Sequence, residues 1–456
     1  MTHLADAFQH FRPFTVLVIG DFFFDTYITG RVKRISPEAP VPVLEVLRQE
    51  SRPGGAGNVA LNLAAIGAHV LAIGRMGYDA EGQQLKHRLQ ADGVDVSAFV
   101  IQSSYQTPVK RRFIADSQQL LRVDFETVEP LPFELEEQLL SLLPSLMERS
   151  QIVAISDYGK GFLTRSLIAK TIQMAQSSGV PVIVDPKGLD FTKYRGATVL
   201  KPNASEAYAA ANMSSSSSLD EVAQHLLDLS RVDQLLITRS EAGMSLFESG
   251  KARKDFPVRS REVKDVTGAG DTVLSFICLA LANGLDMDQA AQLANIAACI
   301  SVERLGCVQV TLAELAQRLF EMNRNMKIFD ESHSYALRHL LKDKSYSLLI
   351  LQHGQCVTNA LLRAVKQLST VEGHQLMVYI NDAYPTDEFV HLLASLNEVD
   401  MIVLQGESLK NLCSIMNPYE MYCLEGDEIR QLHQAADLLS TLRSYGLKNQ
   451  KISTLS

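Results

Sequence analysis

Four short apolar runs set the strongest limit on what this chain can fold into. Gln151-Ile-Val-Ala-Ile-Ser156 stops at Asp157-Tyr-Gly-Lys-Gly161, and Val180-Pro-Val-Ile-Val-Asp185 at Pro186-Lys-Gly188. Ala197-Thr-Val-Leu200 stops at Lys201-Pro-Asn203, and Gln234-Leu-Leu-Ile-Thr238 at Arg239-Ser-Glu-Ala-Gly243. Continuous apolar runs of this length are the mark of strands buried on both faces. They alternate with helical stretches, one of them opened by the capping box Ser218-x-x-Glu221 after a serine-rich loop. The pattern is βαβα and predicts a parallel sheet with helices on both faces. Thr15-Val-Leu-Val-Ile-Gly20 and Val70-Leu-Ala-Ile-Gly74 read as two further strands. Ligands of such sheets bind beyond the carboxyl ends of the strands, where Asp21 and Asp25 follow the first run.

The stretch Asp265-Val-Thr-Gly-Ala-Gly-Asp-Thr272 joins an extended segment from Arg259 to an apolar helical run, Val273 to Ala282. A turn that opens a helix leaves its first N–H groups unpaired, and the glycines let a ligand approach the backbone. The product is an anion site at a helix start. Asp271 lies inside it, as a helix cap or as a base that takes a proton from a hydroxyl while the N–H groups hold a transferring phosphoryl group. No lysine follows the glycines, so this is not a Walker loop.

Pro53-Gly-Gly-Ala-Gly-Asn58 opens a second helix that closes at Gly67, with Asn58 and Asn62 on one face. The three prolines in Arg34 to Val46 place that segment at a sheet edge or outside the main sheet. Thr107 to Ala115 and Gln119 to Glu126 read as two strands around a turn at Asp116-Ser117. Even spacing puts Lys110 and Arg112 on one face, with Arg122 on the partner strand.

A chain of 456 residues is too long for one ordinary core. The net charge of −9 and pI of 5.7 argue against nucleic acid or an anionic membrane surface as the main partner. The six cysteines form no Cys-x-x-Cys pair and read as reduced thiols of a cytoplasmic protein. No run approaches the roughly 20 apolar residues of a membrane span, and Met1 to Asp6 has no leader-like character. Asn323 to Lys344 is polar and marks a boundary, which gives domains at 1–325 and 345–456 with a linker at 326–344.

Gly54-Gly-Ala-Gly-Asn58 and Asp265 to Thr272 resemble the two signatures of the ribokinase-like, or PfkB, carbohydrate kinases. Within that family the likeness is strongest to the heptose 7-phosphate kinases of ADP-heptose synthesis, over about residues 12 to 318. It is carried by Arg34 to Val43, Arg52 to Ala60, Gln118 to Glu126, Ser156 to Gly161, Asp185 to Gly188 and Lys201 to Glu206. The resemblance implies an α/β fold: an αβα sandwich with a small β lid, followed by a small Rossmann-like α/β domain. It implies transfer of the ATP γ-phosphoryl group, with Mg2+, to the anomeric hydroxyl of D-glycero-D-manno-heptose 7-phosphate. A kinase for another phosphosugar and a silent scaffold are the competing readings. Lids of this kind often pair between subunits, so a homodimer is expected.

The family's roles carry over residue by residue. Asp271 is then the base, with Gly268, Ala269 and Gly270 supplying N–H groups. Asp25, Gly54, Gly55 and Asn58 would bind sugar hydroxyls, and Arg112, Asp157 and Lys160 the rest of the phosphosugar. Asn203, Ala204, Ser205 and Glu206 match the N-x-x-E motif beside the ATP phosphates, where Glu206 orders Mg2+ through water. Thr238, Gly243 and Asn295 fall along the nucleotide cleft. Cys299-Ile-Ser and Arg239 depart from the family's usual smaller residues there.

Many full-length members carry a second domain that transfers AMP to heptose 1-phosphate, marked by His-x-Gly-His opening a helix. After the strand Leu348 to Leu351 this chain has Gln352-His-Gly-Gln-Cys-Val-Thr-Asn-Ala, with His353 and Gly354 too early and His374 beyond the helix. Tyr379 to Ala383 and Ile452-Ser-Thr454 still resemble that domain. The expectation is a nucleotidyltransferase-like fold without its chemistry; a second site of unrecognised residues is the alternative.

Overall fold

A computed structural model describes residues 11–115, 118–258, 263–304, 306–322, 327–329, 341, 345–352, 357–370, 374–382, 385–404, 418–426 and 428–432. The turn at 116–117, residues 259–262, His353, Gly354, Cys356, Ala383, Cys413 and the 452–454 motif lie outside the described residues. The chain divides into two units, Arg12–Thr311 and Leu312–Ser456 with Met1–Phe11.

In chain order the strands of the larger unit are β1 (Thr15–Gly20), β2 (Phe22–Ile35), β3 (Pro42–Gly55), β4 (His69–Ile73), β5 (Arg75–Gly77) and β6 (Val100–Gln102). They continue as β7 (Val109–Ala115), β8 (Gln118–Phe125), β9 (Ile152–Ser156), β10 (Val182–Asp185), β11 (Val199–Leu200), β12 (Gln234–Thr238), β13 (Met244–Glu248) and β14 (Lys254–Phe256). The central sheet runs β14-β13-β12-β11-β10-β9-β1-β4. From β4 to β12 every pairing is parallel, as the apolar runs require. The expected parallel sheet carries an antiparallel extension at one edge, where β13 and β14 return. The turns before them, Arg239–Gly243 and Ser249–Arg253, are too short for a crossover helix, and only an antiparallel return fits such a connection.

Both faces of the sheet are covered. On one, Leu17, Ile19, Val153, Ile155, Val184 and Leu235 pack against helices Phe133–Glu148, Arg165–Ser178 and Leu219–Ser230. On the other lie Ala56–Ala65, Ala269–Ala282 and Met287–Val302, the first two of which are buried along nearly their whole length. The expected capping box of the Leu219 helix is present, with Ser218 and Glu221 each accepting the other's backbone N–H. Cys278, Cys299 and Cys307 are buried cysteines of this unit.

A second, four-stranded sheet runs β3-β2-β7-β8 and matches the expected lid. β2 leaves the core directly after β1: Phe22, Phe23 and Phe24 are buried, while Arg31 to Ile35 are exposed or half-buried. β3, which begins at Pro42, is one of its two edge strands, where a missing donor is tolerated.

In the smaller unit the strands β15 (Ile328–Phe329), β16 (Tyr346–Gln352), β17 (Gln375–Asn381), β18 (Met401–Leu404), β19 (Glu420–Glu425) and β20 (Glu428–Leu432) form one sheet. Its order, β15-β18-β17-β16-β19-β20, is Rossmann-like, with parallel pairing throughout except at the β19–β20 hairpin. Helix Asn359–Ser369 follows β16. The 326–344 stretch is not purely a linker: Ile328 and Phe329 pair in parallel with Ile402 and Val403. Their apolar side chains supply a strand where the polar average of the segment hides one.

Candidate active site

The ends of β1, β9, β10, β11 and β12 deliver Asp21, Tyr158, Asp185, Lys201 and Thr238 to one edge of the central sheet. The Asp265–Thr272 turn adds the centre of the site. Its helix begins at Ala269 after Gly268, whose φ of 79° suits glycine. A Cβ on Gly268 would lie 2.7 Å from Asn58 Nδ2 and 3.2 Å from Cys307 Sγ, so only glycine lets the turn sit this close. A Cβ on Gly270 would lie 3.4 Å from Lys201 Nζ, which puts the first turn of the helix beside that ammonium.

Asp271 is 3 % exposed. Asn58 Nδ2 donates to its Oδ2 at 2.8 Å, and the Tyr158 phenol donates to its Oδ1 at 2.8 Å. Burial, which disfavours the charged form, pushes its carboxyl up to about 7; Asp185 adds to this, while Asn58, Tyr158 and Lys201 oppose it. The group therefore titrates where a general base is most effective.

Asn58 is in turn held from behind. Asn62 Nδ2 donates to Asn58 O at 2.9 Å and to Asn58 Oδ1 at 3.3 Å, and Asn62 Oδ1 accepts from Val310 N at 3.3 Å. The two asparagines one turn apart thus form a buried line of amides ending on Asp271. Asn62 is fully buried and faces this line.

Beside Asp271 lies a second cluster. Arg112 pairs with Asp25 Oδ1, and Cys307 Sγ is 3.9 Å from Asp25 Oδ2. Gly54 packs on Asp25: a Cβ there would fall 2.4 Å from Oδ2. Gly55 forms the turn from β3 into helix Ala56–Ala65. Lys110 lies over the Phe23 and Tyr158 rings at 4.2 and 5.3 Å, and burial together with nearby Lys160 pulls its ammonium below the usual lysine range against Asp25. Lys160 pairs with Glu126 at 2.5 Å. Asp21 accepts from Tyr158 N at 2.9 Å and Lys160 N at 3.2 Å; burial and Asp157 raise its carboxyl to about 6.

On the other flank, Lys201 Nζ is 2.9 Å from Asp185 Oδ1, and Lys187 Nζ is 2.6 Å from Glu206 Oε1. Asn203 and Glu206 form a capping box, with Ala204 and Ser205 in the first turn and Ser205 Oγ donating to Asn203 Oδ1 at 2.7 Å. Thr238 bridges to Asn203 at the end of β12.

Three expected site residues have contacts within the fold itself. Asp157 accepts from Gly159 N, Lys193 Nζ and the Tyr194 hydroxyl, and each of its oxygens is engaged in holding the turn. Asn295 donates to the carbonyls of Phe256 and Pro257. Gly243 packs against Phe256, where a Cβ would fall 2.0 Å from the carbonyl oxygen. Arg239, one of the departures noted above, pairs with Asp255 at 3.1 Å. Tyr158, Asp185 and Lys201 were given no role by sequence, and Asp21 only a place at the ligand end of the first strand. The only signal was their shared place just after an apolar run.

In the smaller unit, Thr358 Oγ1 caps helix Asn359–Ser369 by accepting from Leu361 N at 3.1 Å. Asn381 donates to Gln352 at 3.0 Å across the ends of β16 and β17.

The sequence pattern of the pfkB family of carbohydrate kinases matches residues 14–313. The chain is 39% identical over 436 residues to the bifunctional protein HldE of Geobacter metallireducens, covering 89% of this chain and 86% of that protein. It is 45% identical over 314 residues to the bifunctional protein HldE of Trichlorobacter lovleyi, covering 68% of this chain and 64% of that protein. Among solved structures, phosphofructokinase-2 from Escherichia coli in complex with potassium superposes with a TM-score of 0.57 at 19% identity, covering 68% of this chain and 99% of that one. Ribokinase from Arabidopsis thaliana complexed with ribose and ATP gives a TM-score of 0.54 at 19% identity over 68% of this chain and 99% of that one. The larger unit thus has the ribokinase-like fold. With a family match over most of its length and the glycine-flanked aspartate buried at the sheet's ligand edge, the chain belongs to the pfkB family of carbohydrate kinases.

Proposed function

We propose that this protein transfers the γ-phosphoryl group of ATP to the anomeric hydroxyl of D-glycero-D-manno-heptose 7-phosphate, giving the 1,7-bisphosphate for ADP-heptose synthesis. The observation that carries the reading is Asp271: a buried carboxylate at a glycine-flanked helix start, with Arg112, Lys110 and Lys160 on one flank and Lys201 on the other. Asp271 takes the proton of the acceptor hydroxyl. The N–H groups of Gly268, Ala269 and Gly270 and the Lys201 ammonium hold the charge on the phosphoryl group in flight. Asp25, Gly54, Gly55 and Asn58 line the sugar side. Arg112, Lys160 and Lys110 face the distal phosphate, the reason to favour a phosphosugar over a neutral sugar. Asn203 to Glu206 and Thr238 take the nucleotide side.

A divalent metal fits this donor set. Both Glu206 oxygens are engaged, one by Asn203 N and one by Lys187 Nζ, which suits a contact through water to Mg2+ held mainly by nucleotide phosphates. The ion would offset negative charge on the phosphates.

In this reading residues 1–325 carry the kinase chemistry and residues 345–456 are a nucleotidyltransferase-like domain without its site, acting in the cytoplasm. The four-stranded sheet is the homodimer surface; Val46, Leu47 and Leu121 on it are 54, 58 and 56 % exposed. The test is ADP release from purified protein with ATP, Mg2+ and a panel of sugar phosphates. Fastest turnover with heptose 7-phosphate supports the reading, and fastest turnover with another phosphosugar replaces the acceptor.

A further inference from the structure

We propose that Tyr158 is a positioning residue for the base, its phenol fixing the plane of the Asp271 carboxylate and holding it ionised. The proposal rests on the reading of Asp271 as the base. Tyr158 and Asn58 each donate to a different Asp271 oxygen at 2.8 Å. Two donors on two oxygens set the carboxylate plane, and each oxygen keeps capacity for a further bond, to the acceptor hydroxyl.

The phenol itself is firmly placed. Its ring meets Phe23 edge-on at 5.1 Å, and Tyr158 N donates to Asp21 Oδ2. Two residues on, the backbone of Lys160 is held at both ends, its N–H by Asp21 and its carbonyl by Arg75 Nη2 at 2.7 Å. Asp21 and Arg75 are 4 and 2 % exposed, so this turn is anchored by buried charges. Burial and the neighbouring Asp271 charge raise the phenol well above its ordinary range, and it stays a donor at every working pH.

The groups that face Asp271 are Asn58 from the helix after β3, Tyr158 from the turn after β9, Asp185 at the end of β10, Lys201 beyond β11, and Cys307. Asp185 opposes ionisation of Asp271. Asn58, Tyr158 and Lys201 favour it, and of these Tyr158 can lose its donor with the least change of shape.

Tyr158→Phe removes only the hydroxyl and keeps the ring against Phe23 and Lys110. In protein labelled with 13C-carboxyl aspartate, the Asp271 resonance is the one absent from Asp271→Asn. Its midpoint is expected near 7 in the wild type and about 0.5–1 unit higher in Tyr158→Phe. The acid limb of kcat/KM, measured with whichever sugar phosphate turns over fastest, should move by the same amount. The rate then falls about 3–8-fold near pH 6.5 and recovers near pH 9. Superimposable titrations, or an equal rate loss at every pH, would overturn the proposal. Site-specific 3-fluorotyrosine at 158, a stronger donor, should move the midpoint down and serves if the phenylalanine variant does not fold. The carboxyl titration needs no acceptor, so a wrong choice of sugar leaves this test intact.

Discussion

Asp271 concentrates the consequences at the scale of single residues. Asp271→Asn is expected to lower phosphoryl transfer by about 10²–10⁴-fold while ATP binding, read by calorimetry, stays within a factor of two. A variant keeping more than half the wild-type rate would make Asp271 a helix cap only. The base must be unprotonated to act, so kcat/KM should climb as pH rises through about 7 and level off above. Stability runs the other way. A carboxyl raised in the folded state binds its proton more tightly there than in the unfolded chain. Its contribution is complete below the ordinary aspartate value and is lost as pH rises through about 7. Asp271→Asn should therefore gain melting temperature over the wild type on going from pH 5 to pH 8. A constant difference across that range would mean that the carboxyl is not strained by burial.

At the scale of elements, β7 is the test of the acceptor side. Lys110, Arg112 and, from the turn after β9, Lys160 converge near Asp25 and Glu126. Lys110→Ala is the clean variant, because among the described residues Lys110 makes no ion pair. It should raise KM for the phosphosugar about 10–100-fold, the worth of a charge-assisted hydrogen bond, and leave KM for ATP within a factor of three. Equal changes in both would remove Lys110 from the acceptor side. Arg112→Ala carries a second cost, since it strands the buried Asp25 carboxylate without its partner, and its loss of melting temperature should exceed that of Lys110→Ala. The exposed apolar residues of the same sheet lead to a further expectation. Leu47→Asp should shift a homodimer to monomer in light scattering, and an unchanged mass would put any dimer contact elsewhere.

For the whole molecule the question is what the smaller unit contributes. Adenylyl transfer calls for donors around the nucleotide phosphates at a helix start. Here Thr358 occupies that place as a cap, and no imidazole stands in Thr358 to Leu362. The protein is expected to release no pyrophosphate from ATP and heptose 1-phosphate. Release that depends on heptose 1-phosphate would reveal a site built from other residues. Deleting residues 340–456 should leave kinase activity within a few-fold of the full chain, with lower solubility as the accompanying change.

The sequence by itself determined what depends on near neighbours. Apolar runs ending at polar turns announced β1, β9, β10 and β12, and the glycines around Asp271 announced the anion site, because burial and turn chemistry act over a few residues. Ile328 and Phe329 escaped notice in a polar segment, as did the β13–β14 return, since a two- or three-residue strand carries almost no periodic signal. Tertiary structure alone decided the partners. Asn58 turned to Asp271 across 213 residues of chain, Tyr158 reached the same carboxylate across 113, and Asp157 was taken up by Lys193 and Tyr194. Residues next to one another at the sheet's edge come from strands whose spatial order differs from their order in the chain. The charge on Asp271, too, is set by burial among those distant groups, and no local pattern encodes it.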